Sequence, residues 1–434
     1  MAIDITDKIS QGVELMALER YEAAKTVFEE VIDADRRNLD AYLHLGNAYM
    51  NLDEVDNGIA QFKKALVIDE NSTDALYSLG CAYFLKGDYA NSMKNFNRVE
   101  ALGAATVEMY MIMMTMFVDS DDPAMAIRCV NRAIQLSPLN SSLRVEKAQI
   151  YVALGHYQEA VATVRELQEI LPDEAEGYAV EIEVQLEAED YDAAIAAADR
   201  ALDRFPNDPT LHLLKARVLN TVGRYEEALE ASRLALVGNP GESDVKAEVA
   251  FQAGVALGGM GRFEDSIRTI ENSIGEGREA SEAYYLIMTE ATGLGIYDKA
   301  AEYADKLLAL DVDEMEPRVR AAAIFTKPFA LDKLGRFEEA QALFKEATTA
   351  LRRITIANPG LFEVYSYRVM AHRELRDYDE AIDLADHLIS LDENDAAAYA
   401  LKRTVLLAKG DEAGANEMRA KALAIDPNFE FGEE

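Results

Sequence analysis

The chain has 434 residues, half of them apolar and 28% charged, enough apolar material for a packed core, which excludes wholesale disorder. Its formal charge of −36, from 43 basic against 79 acidic residues, repels nucleic-acid phosphates and anionic membrane surfaces. Two cysteines, Cys81 and Cys129, are too few for a disulfide framework.

The chain opens with MAIDITDKIS, which has neither the basic flank nor the apolar run of a secretion signal. The most apolar run, Met109 to Val118, is about half a membrane span. The expectation is therefore a cytoplasmic protein that does not enter a membrane. From Ile5 onward the sequence repeats itself. Gly12, Gly46 and Gly80 lie 34 residues apart, and LHLGNAYMNLDEVDNGIAQFKKAL reads like YSLGCAYFLKGDYANSMKNFNRVE. Units follow without a gap at 5–38, 39–72, 73–106, 107–140, 141–174, 175–208 and 209–242. Insertions then interrupt the ruler at 243–246, 315–320 and 355–361, around units at 247–280, 281–314, 321–354, 362–395 and 396–429. The expected organisation is a regular array of seven units over 1–242, then an irregular array of five with longer helices over 243–434. The last unit carries Lys402, Arg403, Glu417 and Arg419 where other units are often apolar or small, which suits a cap with a solvated outer face.

Within each unit apolar residues recur at i, i+3, i+4 and i+7, which predicts two helices and an all-α fold. Glycine ends the first helix at Gly87, Gly155, Gly223, Gly261, Gly295, Gly335 and Gly410, where positive φ is useful. Proline follows the second helix at Pro138, Pro172, Pro206, Pro240 and Pro427, since it cannot continue one. The twentieth position is always small: Ala24, Gly58, Ser92, Ala126, Ala160, Ala194, Ala228, Ser266, Ala300, Ala340, Ala381 and Ala415. Two helices are expected to meet backbone to backbone there. Three residues earlier an aromatic is expected to cover the joint, at Tyr21, Tyr89, Tyr157, Tyr191, Tyr225, Phe263, Tyr297, Phe337 and Tyr378. Position eight is small at Gly12, Gly46, Gly80, Ala148, Ala216 and Gly254 but not at Met114, Ile182, Met288, Pro328, Val369 or Arg403, so helix spacing should widen at those joints. Pro328 should also kink its helix.

With twelve agreeing copies, the chain resembles the tetratricopeptide repeat family, whose unit is a 34-residue helix–turn–helix. The likeness covers nearly the whole chain, although Tyr42, Tyr110, Tyr178, Tyr284, Tyr365 and Tyr399 stand where the family carries tryptophan. The resemblance implies an α–α superhelix, a solenoid of antiparallel helix pairs with a concave face. It implies that the first helices line that face, at their second, fifth, ninth and twelfth positions. Carried onto this sequence, the fifth positions include Leu43, Tyr77, Met111, Val145, Leu213, Phe251, Tyr285 and Phe325. The ninth include Asn47, Cys81, Thr115 and Arg217. Tyr77, Phe251, Tyr285 and Phe325 are the expected anchors for a partner. Ile9, Asp74 and Ser78 stand where the family's carboxylate clamp would need cations, and the asparagine ladder of some long arrays is missing.

From Ala175 to Asp199 there are eight acids and no base. Glu176, Glu183 and Glu187 fall near the expected groove and suit a basic element of a partner. Catalytic signatures are missing: no GxxxxGK[ST], GxSxG or HExxH occurs, and the five histidines are scattered over separate units. No metal site or cofactor is expected. Met109, Met111, Met113, Met114 and Met116 point around a helix and read as adaptable packing, and the two cysteines as buried, inert thiols. Asn71-Ser72-Thr73 and Asn140-Ser141-Ser142 read as helix caps. The expected function is a non-catalytic scaffold that binds a peptide or amphipathic helix of another protein in its groove. Self-association, or service as an accessory subunit of an enzyme complex, is the alternative.

Overall fold

The computed structural model describes residues 5–238, 243–275, 280–311 and 315–431. These residues form 24 helices, two to each sequence unit, and no strand. Contacts divide the chain into two compact units, Met1–Ala197 and Ala198–Glu434. The boundary expected near residue 242 falls on 239–242, outside the described residues, as does Pro240.

In the first compact unit the first helices are α1 (Ile5–Ala17), α3 (Leu39–Asn51), α5 (Thr73–Leu85), α7 (Val107–Asp119), α9 (Ser141–Ala153) and α11 (Glu176–Glu187). Between them run the second helices α2 (Tyr21–Ala34), α4 (Val55–Ile68), α6 (Tyr89–Ala101), α8 (Pro123–Leu136) and α10 (Tyr157–Ile170), and the division falls within the next second helix, α12 (Tyr191–Arg204). The other unit continues the alternation, with first helices α13 (Pro209–Thr221), α15 (Ser243–Gly259), α17 (Ala280–Gly293), α19 (Pro317–Lys333), α21 (Phe362–Glu374) and α23 (Ala396–Lys409). Its second helices are α14 (Tyr225–Val237), α16 (Phe263–Gly275), α18 (Tyr297–Leu308), α20 (Phe337–Ala357), α22 (Tyr378–Leu391) and α24 (Glu412–Ile425). The insertions lengthen helices: α15 and α19 have 17 residues, and α20 has 21. Pro328 lies buried inside α19.

One turn serves all twelve units. Position fifteen has positive φ throughout: glycine at the seven expected places, and Glu19, Asp53, Asp121, Glu189 and Arg376 in the other five. The next residue's N–H then reaches back five residues, as from Asp88 to the Tyr83 carbonyl at 2.9 Å and from His156 to Tyr151 at 2.8 Å. This is the Schellman closure, which uses carbonyls that the helix end leaves open. Side chains then start many of the following helices. Ser72 accepts from the Ala75 N–H and Asp122 from that of Met125. Asn140 occupies the N-cap of α9 without a side-chain bond, so only one of the two sequons caps as expected.

The twentieth position is buried in every unit. Where it is serine, its hydroxyl shows how close the helices come: Ser92 Oγ donates to the Gly80 carbonyl at 2.8 Å, and Ser266 Oγ lies 2.8 Å from that of Gly254. Position eight packs against position twenty-four of the same unit. A β-carbon on Gly80 would stand 2.5 Å from the Phe96 ring, and Gly12, Gly46 and Gly254 are likewise filled by Phe28, Phe62 and Ile270. Where position eight is large, its partner is smaller: Met114 shares its buried cluster with Val130, Met288 with Ala304 and Val369 with Ala385. A smaller partner at position twenty-four leaves room, inside the helix pair, for the larger residue at position eight. Pro328 with Phe344 and Arg403 with Arg419 are exceptions.

Aromatics at position seventeen are half-buried in seven units, and the Tyr225 ring fills the space over Gly259. Phe263 and Phe337 correct the expectation, at 39% and 62% exposed: they lie at the surface rather than closing the joint. The last unit is charged where others are apolar. Arg403 and Arg419 flank the Phe431 ring at 5.0 and 5.6 Å. Their cations meet the ring's electron-rich face.

Candidate interaction face of the first helices

The side chains expected to line a groove do not share one environment. In the first compact unit Leu43 is buried, whereas Asn47 on α3, Tyr77 and Cys81 on α5, Met111 on α7 and Val145 on α9 are half-buried. Thr115 is exposed, and its hydroxyl donates to the Met111 carbonyl at 3.1 Å. These residues repeat at positions five and nine, so adjacent first helices present them in rows. The rows are apolar at position five and small or polar at position nine.

Tyr77 is packed rather than projecting. Its ring lies 5.9 Å from that of Phe96, and burial pushes its hydroxyl up to about 12. Burial also raises both thiols, Cys129 to about 11, so each is protonated at neutral pH and a poor nucleophile. Cys129 is buried as expected, and Cys81 only half-buried.

On α11 the acidic run separates into two roles. Glu181 is buried, and its carboxylate accepts two bonds from Arg165, at 2.7 and 3.0 Å, and one from Gln168 at 2.8 Å. It belongs to the joint with α10. Glu176, Glu183 and Glu187 are exposed. Spacings of seven and four residues put those three on one helical stripe.

Two of the expected anchors in the second compact unit are inside it. Phe251 is 2% exposed and Phe325 6%. Phe325 is stacked against Phe329 and Tyr367, at 5.7 and 5.6 Å between ring centres. Rings held this way are core, so the exposed aromatic row expected there is reduced to Tyr285, which is half-buried with Leu213 and Arg217. Position alone identifies the helix face; the bulk of neighbouring side chains decides how much of it stays open.

The sequence did not reveal a cleft of about 370 Å3 between α7 and α9. Its apolar walls include Met114, Val118, Ile150 and Leu154, and it opens at one of the joints with a large residue at position eight. Val118 is 51% exposed and Leu154 38%. A readable signal existed: these apolar residues sit at positions twelve and fourteen, next to polar turns. A larger cleft of about 740 Å3 lies beside Tyr157 at the start of α10, away from the rows, and its Arg165 is bonded to Glu181. Among the described residues no group of histidine, cysteine, aspartate and glutamate is arranged to hold a metal ion, and no helix is long and apolar enough to cross a membrane.

Models of the tetratricopeptide repeat match residues 9–73, 73–102, 117–181 and 181–243. No curated protein matches the sequence. Solved structures that resemble it include YrrB, a TPR protein with an unusual peptide-binding site, at 21% identity over 42% of this chain and 95% of that one, with a TM-score of 0.34. The hetero-tetramer Cut9–Hcn1 of APC/C gives 14% identity over 96% and 93%, with a TM-score of 0.44. Yeast Tom70 gives 14% identity over 96% of both chains, with a TM-score of 0.43.

Proposed function

The chain belongs to the tetratricopeptide repeat family of protein-interaction scaffolds, and we propose that the first-helix face of its amino-terminal part, within the regular array 1–242, holds a peptide or amphipathic helix of another protein. One observation carries this reading: half-buried apolar and polar side chains recur at positions five and nine of adjacent first helices. A helix face with apolar positions open at a fixed spacing suits a segment that offers side chains at a matching spacing. Asn47 and Thr115 supply polar atoms for orientation, and Glu183 a charge.

The exposed Glu176, Glu183 and Glu187 stripe favours a partner with a basic element, and the charge of −36 disfavours nucleic acid. Nothing in this reading calls for catalysis or a cofactor, and the work belongs in the cytoplasm. The longer helices of 243–434 hold Phe251, Phe325 and Phe344 inside and serve the scaffold's architecture.

The test is a quantitative capture from soluble lysate, comparing the wild type with Thr115→Arg, Gln149→Arg and Glu183→Arg combined, three exposed positions whose replacement leaves the core untouched. Loss of a captured protein from the variant supports the reading. Equal capture by both moves the site elsewhere. With no capture by either, a molecular mass that rises with concentration in sedimentation would favour self-association instead.

A further inference from the structure

We infer that the cleft between α7 and α9 receives an apolar side chain that is flanked by lysine or arginine in the partner segment; this rests on the reading that the first-helix face binds a peptide. The volume of about 370 Å3 is at the small end of the ligand-pocket range, roughly 300–1,000 Å3, which suits one or two side chains rather than a cofactor. Its walls are largely apolar, and Val118 and Leu154 leave much of their surface in water. An apolar side chain entering there removes that surface from solvent.

The rim decides what stands beside that side chain. The charged residues lining the cleft, Asp121 and Glu146, are both acids, and Thr115 and Gln149 offer polar groups to a peptide backbone. The next first helix, α11, adds the exposed Glu176, Glu183 and Glu187. A cation beside the apolar side chain is therefore attracted from two sides, and an acidic segment is repelled. A second copy of this chain would bring a surface of charge −36 against the same acids, so charge complementarity selects a basic partner over self-docking.

The probe is a phage-displayed random peptide library selected on the full chain, followed by anisotropy with the labelled winners. Winners are expected to place Leu, Ile, Met or Phe next to Lys or Arg. Their affinity should fall roughly tenfold or more with Val118→Glu, and again with Glu146→Lys combined with Asp121→Asn. Asparagine is used because position 121 has a φ of 56°, which asparagine tolerates. Circular dichroism melts matching the wild type keep the variants interpretable. Winners without basic residues, or binding unchanged by both variants, overturn the cleft assignment. If those winners are lost with Tyr77→Glu or Glu183→Lys instead, the wider face still binds peptide and only the cleft fails. A library that yields no binder to the wild type overturns both.

Discussion

Gly80 and Phe96 hold each other in place across a helix pair: one has no side chain, and the other occupies the space. Gly80→Ala should cost about 1–3 kcal/mol by overpacking, and adding Phe96→Leu should recover part of that loss. Urea melts of the two single variants and the double variant measure the coupling, and strict additivity would refute the contact. Glu290 on α17 gives a second residue-scale prediction. Burial raises its carboxyl to about 7, with one oxygen 2.9 Å from Ser266 Oγ and the other without a partner. Ser266 has a single proton to share between the Gly254 carbonyl and this carboxyl, so both contacts are made only when Glu290 is protonated. The fold thus binds a proton that the unfolded chain releases above its ordinary value of 4.5. Stability from this group is present below that value and is lost as pH rises through about 7, by at most about 3 kcal/mol. Glu290→Gln should flatten that slope and raise the melting temperature at alkaline pH; an unchanged pH profile would refute the assignment. The sequence made position twenty legible because size is visible in every copy. It did not show Glu290, since burial depends on what the neighbouring helices bring against it.

At the scale of the element, the repeated turn is the most constrained feature. Gly155 has a φ of 72°, so Gly155→Ala should cost about 1 kcal/mol. Arg376, at a φ of 60°, already bears that strain, and Arg376→Gly should be neutral or stabilising. Comparing the two melts separates the backbone effect from any side-chain effect. The joint between α10 and α11 supplies the contrast that the acidic run concealed. Glu181→Ala should cost about 1–3 kcal/mol, because it removes the acceptor of Arg165 and one of the two acceptors of the Gln168 amide, whose other bond is to the Gly177 carbonyl, whereas Glu183→Ala should stay within about 0.5 kcal/mol. Equal losses in chemical melts would mean that the two carboxylates are not divided between joint and surface. Composition cannot tell Glu181 from Glu183, two residues apart on one helix, because adjacent helices bury one face and leave the other. Phe251 and Phe325 were unreadable for the same reason: the spacing shows their face, but Phe329 and Tyr367 close over Phe325.

For the whole molecule, charge and local connectivity dominate. With −36 on 434 residues, like charges oppose compaction, so added salt should raise the melting temperature by screening. A melting temperature that falls between low and moderate salt would refute this. Helices pack mainly on their neighbours in sequence, so unfolding should spread over a wider range than a two-state transition. Calorimetry would then give a van't Hoff enthalpy below the calorimetric one, and equality would refute it. The helix count, the turn and the lengthened helices were legible because twelve copies average out local noise. The cleft was legible only as apolar residues, Val118 and Leu154, beside polar turns, since it arises between units and no single copy encodes it.

The pairing of positions eight and twenty-four has a consequence for recombination. Both halves lie inside one unit, so a unit duplicated, deleted or transplanted whole carries its own complement. A crossover placed in the turn between the two helices would join a glycine to a valine, leaving a void, or a methionine to a phenylalanine, forcing a clash. Viable chimaeras should therefore splice at the ends of second helices, and such a joint can be passed from one array to another without redesigning either side's interior.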